Sequence, residues 1–168
     1  MTNDFVNYSH VVLVTGARTW SDELSMRMAF ARLWDRWNPL TVTRPLLVSG
    51  GCLVGADAMA ERLWTGIGLE VRRVPADWQQ YGRRAGIRRN REMVELVSAA
   101  RDDGAQVACT TFIDLCDRPD CPNADQEQMK NSTGIGGHYS HGTMHTRTLA
   151  SRAGIETLDV FAPRLPPF

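Results

Sequence analysis

Three groups of residues have the types and spacing that chemistry needs. The first is the turn Gly50-Gly51-Cys52-Leu53-Val54-Gly55-Ala56-Asp57. Paired glycines let backbone N–H groups approach a phosphate closely, and a helix opening behind them favours an anion at its N-terminus. The turn is neither a Walker sequence nor a G-x-G-x-x-G, so its meaning rests on standing between a strand and a helix. A tight turn with Gly55 as a close-packing residue is the plain alternative, and Asp57 either bonds ribose hydroxyls or caps the helix. The second group is Cys116-Asp117-Arg118-Pro119-Asp120-Cys121, followed by His138-Tyr139-Ser140-His141. Cys-x4-Cys has zinc-ligand spacing, and Cys116, Cys121, His138 and His141 would complete a tetrahedral S2N2 site for a structural zinc. His-x2-His is tighter than the usual spacing, so Cys109 or His145 stands as a replacement ligand; free thiols in a polar flap are the competing reading. The third group is Arg83, Arg84, Arg88, Arg89 and Arg91, suited to phosphate or to a single nucleic-acid strand. Helix neighbours diverge by about 100° per residue, so these arginines cannot all face one ligand.

Smaller signals accompany these. Gly16-Ala17-Arg18 follows a strand, where a guanidinium clamps phosphate, stacks on a base or simply faces solvent. Asp77-Trp78, with Tyr81, sets aromatic area beside a carboxylate, as base stacking requires and as a satellite hydrophobic cluster also would. Cys52 at a helix start is either an activated thiol or, more commonly, a small buried side chain. His145 is an acid or base without a partner readable from the sequence.

Alternating elements must position these groups. His10 to Thr15, Leu46 to Ser49, Leu69 to Val74, Gln106 to Phe112 and Ile155 to Phe161 read as strands. Helices are expected from Ser21-Asp22-Glu23 to Asn38-Pro39, with Leu24, Met28, Leu33, Trp34 and Trp37 as the apolar stripe, then over Ala56 to Trp64, Arg88 to Ala100 and Thr143 to Ala153. The pattern predicts one α/β domain over 1–168: a Rossmann-like, doubly wound, mostly parallel five-stranded sheet flanked by helices, with an irregular insert at about 113–142. In such sheets ligands bind beyond the carboxyl ends of the strands, so each loop there is a candidate wall.

Composition narrows the function classes. The 168 residues are 43% hydrophobic and 23% charged, with a net charge of zero, which removes the global field that draws a protein onto a polyanion. No run approaches the roughly 18 apolar residues of a membrane span, and no basic, apolar leader opens the chain. Four cysteines without a secretory signal point to thiols or metal ligands and to a reducing cytoplasm.

Several stretches together resemble one family: Val12-Leu13-Val14-Thr15-Gly16-Ala17-Arg18, Gly50 to Ala60, Pro75-Ala76-Asp77-Trp78, Tyr81 to Gly86 with Arg89-Asn90-Arg91-Glu92-Met93, and Gly142-Thr143 with Ala153-Gly154-Ile155. In order and spacing they look like the small YspA-like branch of the SLOG superfamily, common in bacteria and phages. The resemblance implies a Rossmann-like fold and a nucleotide-derived ligand, but no particular reaction. By carry-over, the ligand would touch Gly16, Ala17, Arg18, Gly50, Gly51, Asp57, Asp77, Trp78, Arg89, Asn90, Gly142 and Thr143. Two features depart from the family pattern. Cys52-Leu53-Val54 replaces the arginine that usually precedes Gly-Ala-Asp, and Gly142-Thr143 is followed by Met144-His145-Thr146-Arg147, without the glutamate of the phosphoribohydrolases.

The expectation is therefore a sensor or sequestering protein for a phosphate-bearing, nucleotide-derived small molecule, with no organic cofactor and with homo-oligomerisation left open. The enzymatic alternative is a hydrolase of a nucleotide N-glycosidic or phosphate bond, with Asp57, Asp77 or Glu92 as acid or base. Single-stranded DNA binding through Arg83 to Arg91 and Trp78 ranks last, because the chain is neutral.

Overall fold

Glycines and β-branched runs divide the chain as expected. The computed structural model describes residues 7–118, 121 and 138–163; the middle of the insert and the proline-rich tail at 164–168 lie outside the described residues. The strands are β1 (His10–Gly16), β2 (Pro45–Ser49), β3 (Glu70–Arg73), β4 (Gln106–Ile113) and β5 (Glu156–Phe161). Their spatial order is β3-β2-β1-β4-β5 and every neighbouring pair is parallel, so the sheet is wholly rather than mostly parallel.

Residues alternate across a strand, and β1 shows what this does. Val12 and Val14 pack with α1 (Glu23–Arg36) and α2 (Gly55–Gly66) through Met26, Ala29, Leu33, Ala56, Ala60 and Trp64. Val11 and Leu13 face the other side, where α4 (Ala85–Asp102) and α5 (His141–Arg152) supply Met93, Val97, Ala100 and Ala150. Helices thus cover both faces, which is why β1 is apolar on both sides from Val11 to Val14. The chain runs outward from β1 to β3 and returns to place β4 on the other flank of β1. The strand order therefore reverses between β1 and β4, where a doubly wound sheet opens its ligand crevice.

Several boundaries and faces differ from the sequence expectation. On α1 the buried stripe is Met26, Ala29 and Leu33, while Leu24 and Met28 are exposed. The side of α1 bearing Met28 instead borders a cavity of about 240 Å³ against Leu158 to Phe161 of β5. A short helix, α3 (Trp78–Tyr81), replaces the loop after β3, because the Asp77 carboxylate accepts from Gln80 N and caps it. The insert begins after Ile113 and ends before His141, since α5 starts two residues earlier than the expected Thr143.

His10 opens β1 with 1% exposure, its ring centroid 4.7 Å from that of Trp37 and tilted to it, and its Nε2 has no hydrogen-bond partner. Burial holds its pKa below the ordinary 6.5. The folded state thus resists a proton that the unfolded chain accepts, so His10's contribution is complete above pH 6.5 and is lost as the pH falls below it. Replacing His10 with Phe is expected to flatten the loss of stability between pH 7 and pH 5, measured by urea unfolding at both values. An unchanged pH slope would refute this.

Candidate functional site

The glycine turn is built by close approach. Gly16 ends β1 where a Cβ would lie 2.8 Å from Phe112 Cβ, so β1 and β4 close tightly there. Gly55 takes φ +73°, and a Cβ on it would lie 2.5 Å from Arg18 Cα. The start of α2 is thereby pressed against the loop after β1, and Ala56 N donates to Ala17 O at 3.1 Å. The close-packing role of Gly55 is real, and it brings Ala17 and Arg18 against the turn.

Much of the turn's backbone is bonded internally. Gly51 N donates to Ser49 Oγ at 3.1 Å and Cys52 N to Asp57 Oδ2 at 3.3 Å. Asp57 therefore does not cap α2; Val54 stands at that position without a side-chain cap. Leu53, in the middle of the turn, carries no charge and is 93% exposed. Positive charge comes from elsewhere. Arg89 of α4 reaches across so that its Nη1 donates to Gly50 O at 2.5 Å. Arg18 and Arg89 both act electrostatically on Cys52, as does Asp57.

Asp57 is 6% exposed, and burial pushes its carboxyl up, against the Cys52 N–H and the Arg89 charge that pull it down. Burial also raises the Cys52 thiol, with Asp57 adding to the effect. That is the opposite of an activated nucleophile. Beneath the turn, Glu61 accepts from Ser49 Oγ at 2.8 Å and pairs with Arg73 at 2.5 Å. This buried support was invisible in the sequence, where Glu61 is one more polar residue on a helix.

Asn90 is buried and joins two helices. Arg89 Nε donates to its Oδ1 at 2.9 Å, and its Nδ2 lies 3.4 Å from Gly142 O and 3.3 Å from His145 Nδ1. An amide donor facing Nδ1 fixes the proton of a neutral His145 on Nε2. His145 is accordingly a partner of Asn90 and not a replacement metal ligand. Thr143, in the first turn of α5, is buried and its hydroxyl has no partner.

Gly16, Ala17, Arg18, Gly50, Gly51, Asp57, Arg89, Asn90, Gly142 and Thr143 are thus linked along one edge of the sheet by contacts or short chain connections. Asp77 and Trp78 are not drawn in: Asp77 caps α3, and Trp78 is 55% exposed with its ring edge 3.4 Å from the Cβ position of Gly86. The arginine cluster divides as helix geometry requires. Arg88 lies over the Tyr81 ring at 4.0 Å, Arg89 points to Gly50, and Arg83, Arg84 and Arg91 face solvent. Of the three acids considered for catalysis, only Asp57 belongs to the group.

The second constellation lies beyond the end of β4. Leu115 and Tyr139 form an antiparallel bridge, Cys116 N donates to His138 O at 2.8 Å, and Ser140 N donates to Asp114 O at 3.0 Å. This ladder closes the neck of the insert and brings Cys116, Cys121, His138 and His141 together, with donor atoms all within 4.8 Å of one another. Cys121 Sγ lies 3.2 Å from His138 Nε2 and 3.0 Å from His141 Nε2, and the two nitrogens are 3.0 Å apart. These four residues form a cluster able to hold a metal ion. Cys109 cannot replace any of them. It is fully buried in the middle of β4, and its thiol is pushed up to about 12 by burial, then by Asp159.

Among the described residues, no helix is long and apolar enough to cross a membrane. No family model matches the chain. The "Gene 61 protein" of Mycobacterium phage D29 is 38% identical over 88 residues, a match covering 49% of this chain and 66% of that protein. The chain thus spans slightly less than two thirds of this relative's length.

Proposed function

We propose that this chain binds a nucleotide-derived, phosphate-bearing small molecule at the carboxyl edge of its sheet, beside a structural zinc held by Cys116, Cys121, His138 and His141. One observation carries the ligand reading: Arg18, the Gly50-Gly51 turn, Arg89-Asn90 and the start of α5 come from four separate segments and meet at the strand ends. Two guanidiniums and two helix starts give anion recognition there. With Gly51 N–H and Cys52 N–H already engaged, the arginines supply more of that recognition than the turn's backbone. The YspA-like resemblance supports the same ligand class.

The donor set supports zinc. Bond lengths near 2.0–2.3 Å in a tetrahedral site imply ligand atoms about 3.3–3.8 Å apart. The shortest distances here, 3.0–3.2 Å, lie close to that range, and two sulfurs and two imidazole nitrogens from both sides of the neck converge on one point. Two sulfurs and two nitrogens fill the coordination of zinc, so the ion would cross-link the neck and supply no open position for chemistry.

Isothermal titration with nucleoside phosphates, ADP-ribose and cyclic dinucleotides tests the ligand reading. One class is expected to bind, and Arg89→Ala to weaken it by at least tenfold, about 1.4 kcal/mol, with the fold retained. Absence of binding at millimolar concentrations would overturn it.

A further inference from the structure

At the point where strand order reverses, two polar side chains meet that no motif singled out. Thr19 follows the β1 loop and Asp114 follows the last residue of β4. Thr19 Oγ1 donates to Asp114 Oδ2 at 2.7 Å, across 95 positions of sequence. The strand ends beneath them are fixed: Gly16 pairs with Phe112, and Ala17 N donates to Phe112 O at 2.9 Å. The carboxylate is fixed from behind as well. Its Oδ1 accepts from Leu115 N at 2.8 Å, and the Asp114 carbonyl accepts from Ser140 N at 3.0 Å.

Two bonds leave the carboxylate with unused acceptor positions, since its two oxygens offer about four. No cation among the described residues forms an ion pair with it. Asp114 is half-buried and Thr19 exposed, so the pair stands at the mouth of the crevice and not in the core. A carboxylate here repels phosphate, which the arginines attract on the β2 side. Its remaining acceptors suit neutral O–H donors, and adjacent sugar hydroxyls present two at the right spacing for one carboxylate.

We propose that Asp114, oriented by Thr19, binds the ribose hydroxyls of the ligand and makes the site selective for ribonucleoside phosphates over hydroxyl-free analogues and bare phosphates. This rests on the ligand reading above. It also separates the crevice into a phosphate end at Arg18 and Arg89 and a sugar end at the β1–β4 boundary.

The test compares AMP, 2′,3′-dideoxy-AMP and inorganic pyrophosphate by isothermal titration on the intact chain. The wild type is expected to bind AMP at least tenfold more tightly than the dideoxy analogue. Asp114→Asn keeps partners for Thr19 and Leu115 N and is expected to bind the two nucleotides equally, with pyrophosphate affinity unchanged or raised. Thr19→Val, which leaves the carboxylate but frees its orientation, should lose part of the discrimination and guards against a folding defect in the first variant. Equal binding of both nucleotides by the wild type overturns the sugar assignment while leaving the phosphate site standing. So does a variant that loses AMP and pyrophosphate affinity alike. Failure of all three probes to bind at millimolar concentrations overturns both readings.

Discussion

Protein purified without chelator is expected to carry one equivalent of zinc, and the double change Cys116→Ser with Cys121→Ser to carry none. Removal should also cost stability. A ligand present at about a thousand times its Kd stabilises the folded state by about 4 kcal/mol. For a chain of this length that corresponds to a fall of roughly 8–16 °C in Tm. The loss should be local in its structural effect. The ladder between Leu115 and Tyr139 and the first turn of α5 depend on the neck, whereas β1 and β4 are buried between helices on both faces. Hydrogen exchange should therefore speed up at Asp114 to Cys116 and Ser140 to His145 while β1 and β4 stay protected. Metal-free protein that gains neither Tm nor protection on adding zinc would refute the assignment.

The second large effect is expected at Gly55. An alanine there must keep φ +73°, which costs about 1–2 kcal/mol for a residue with a Cβ. The Cβ also meets Arg18 Cα at 2.5 Å and the Arg18 carbonyl carbon at 2.6 Å, and backbone cannot swing aside as a flexible side chain does. Together these are expected to destabilise by about 3 kcal/mol, or roughly 6–12 °C in Tm. Gly82→Ala is the control: φ is +49°, but nothing lies within 4 Å, so only the conformational cost applies. If thermal denaturation shows Gly55→Ala no worse than Gly82→Ala, the turn is not pinned to the Arg18 loop as described.

These effects fall on features that the sequence displayed with unequal clarity. Cys116, Cys121, His138 and His141, the cluster able to hold a metal ion, were legible as a spacing, because Cys-x4-Cys and His-x2-His are local patterns that only the closing ladder had to bring together. Gly55 was legible as a close-packing glycine, but not which backbone it packs against. Leu24 and Met28 misled because helical periodicity marks an apolar stripe without saying whether the sheet or a surface groove lies beneath it. Glu61, Thr19 and Asp114 gave no signal, since a lone acid or hydroxyl on an ordinary helix or loop has the same local pattern whether it is solvated or buried.

The sequence by itself determined the five strands, the four long helices and their order, because the apolar runs, the glycines that end them and the helix starts are encoded over a few neighbouring residues. It thereby also determined that the loops carrying Arg18, Gly50, Asp77 and Asp114 follow strands. Only the tertiary structure decided which polar groups meet. Arg89 and Gly50 are 39 positions apart, Asn90 and Gly142 are 52 apart, and Thr19 and Asp114 are 95 apart. Such meetings depend on strand order and on the direction from which helices cross the sheet, and neither leaves a local trace in the chain.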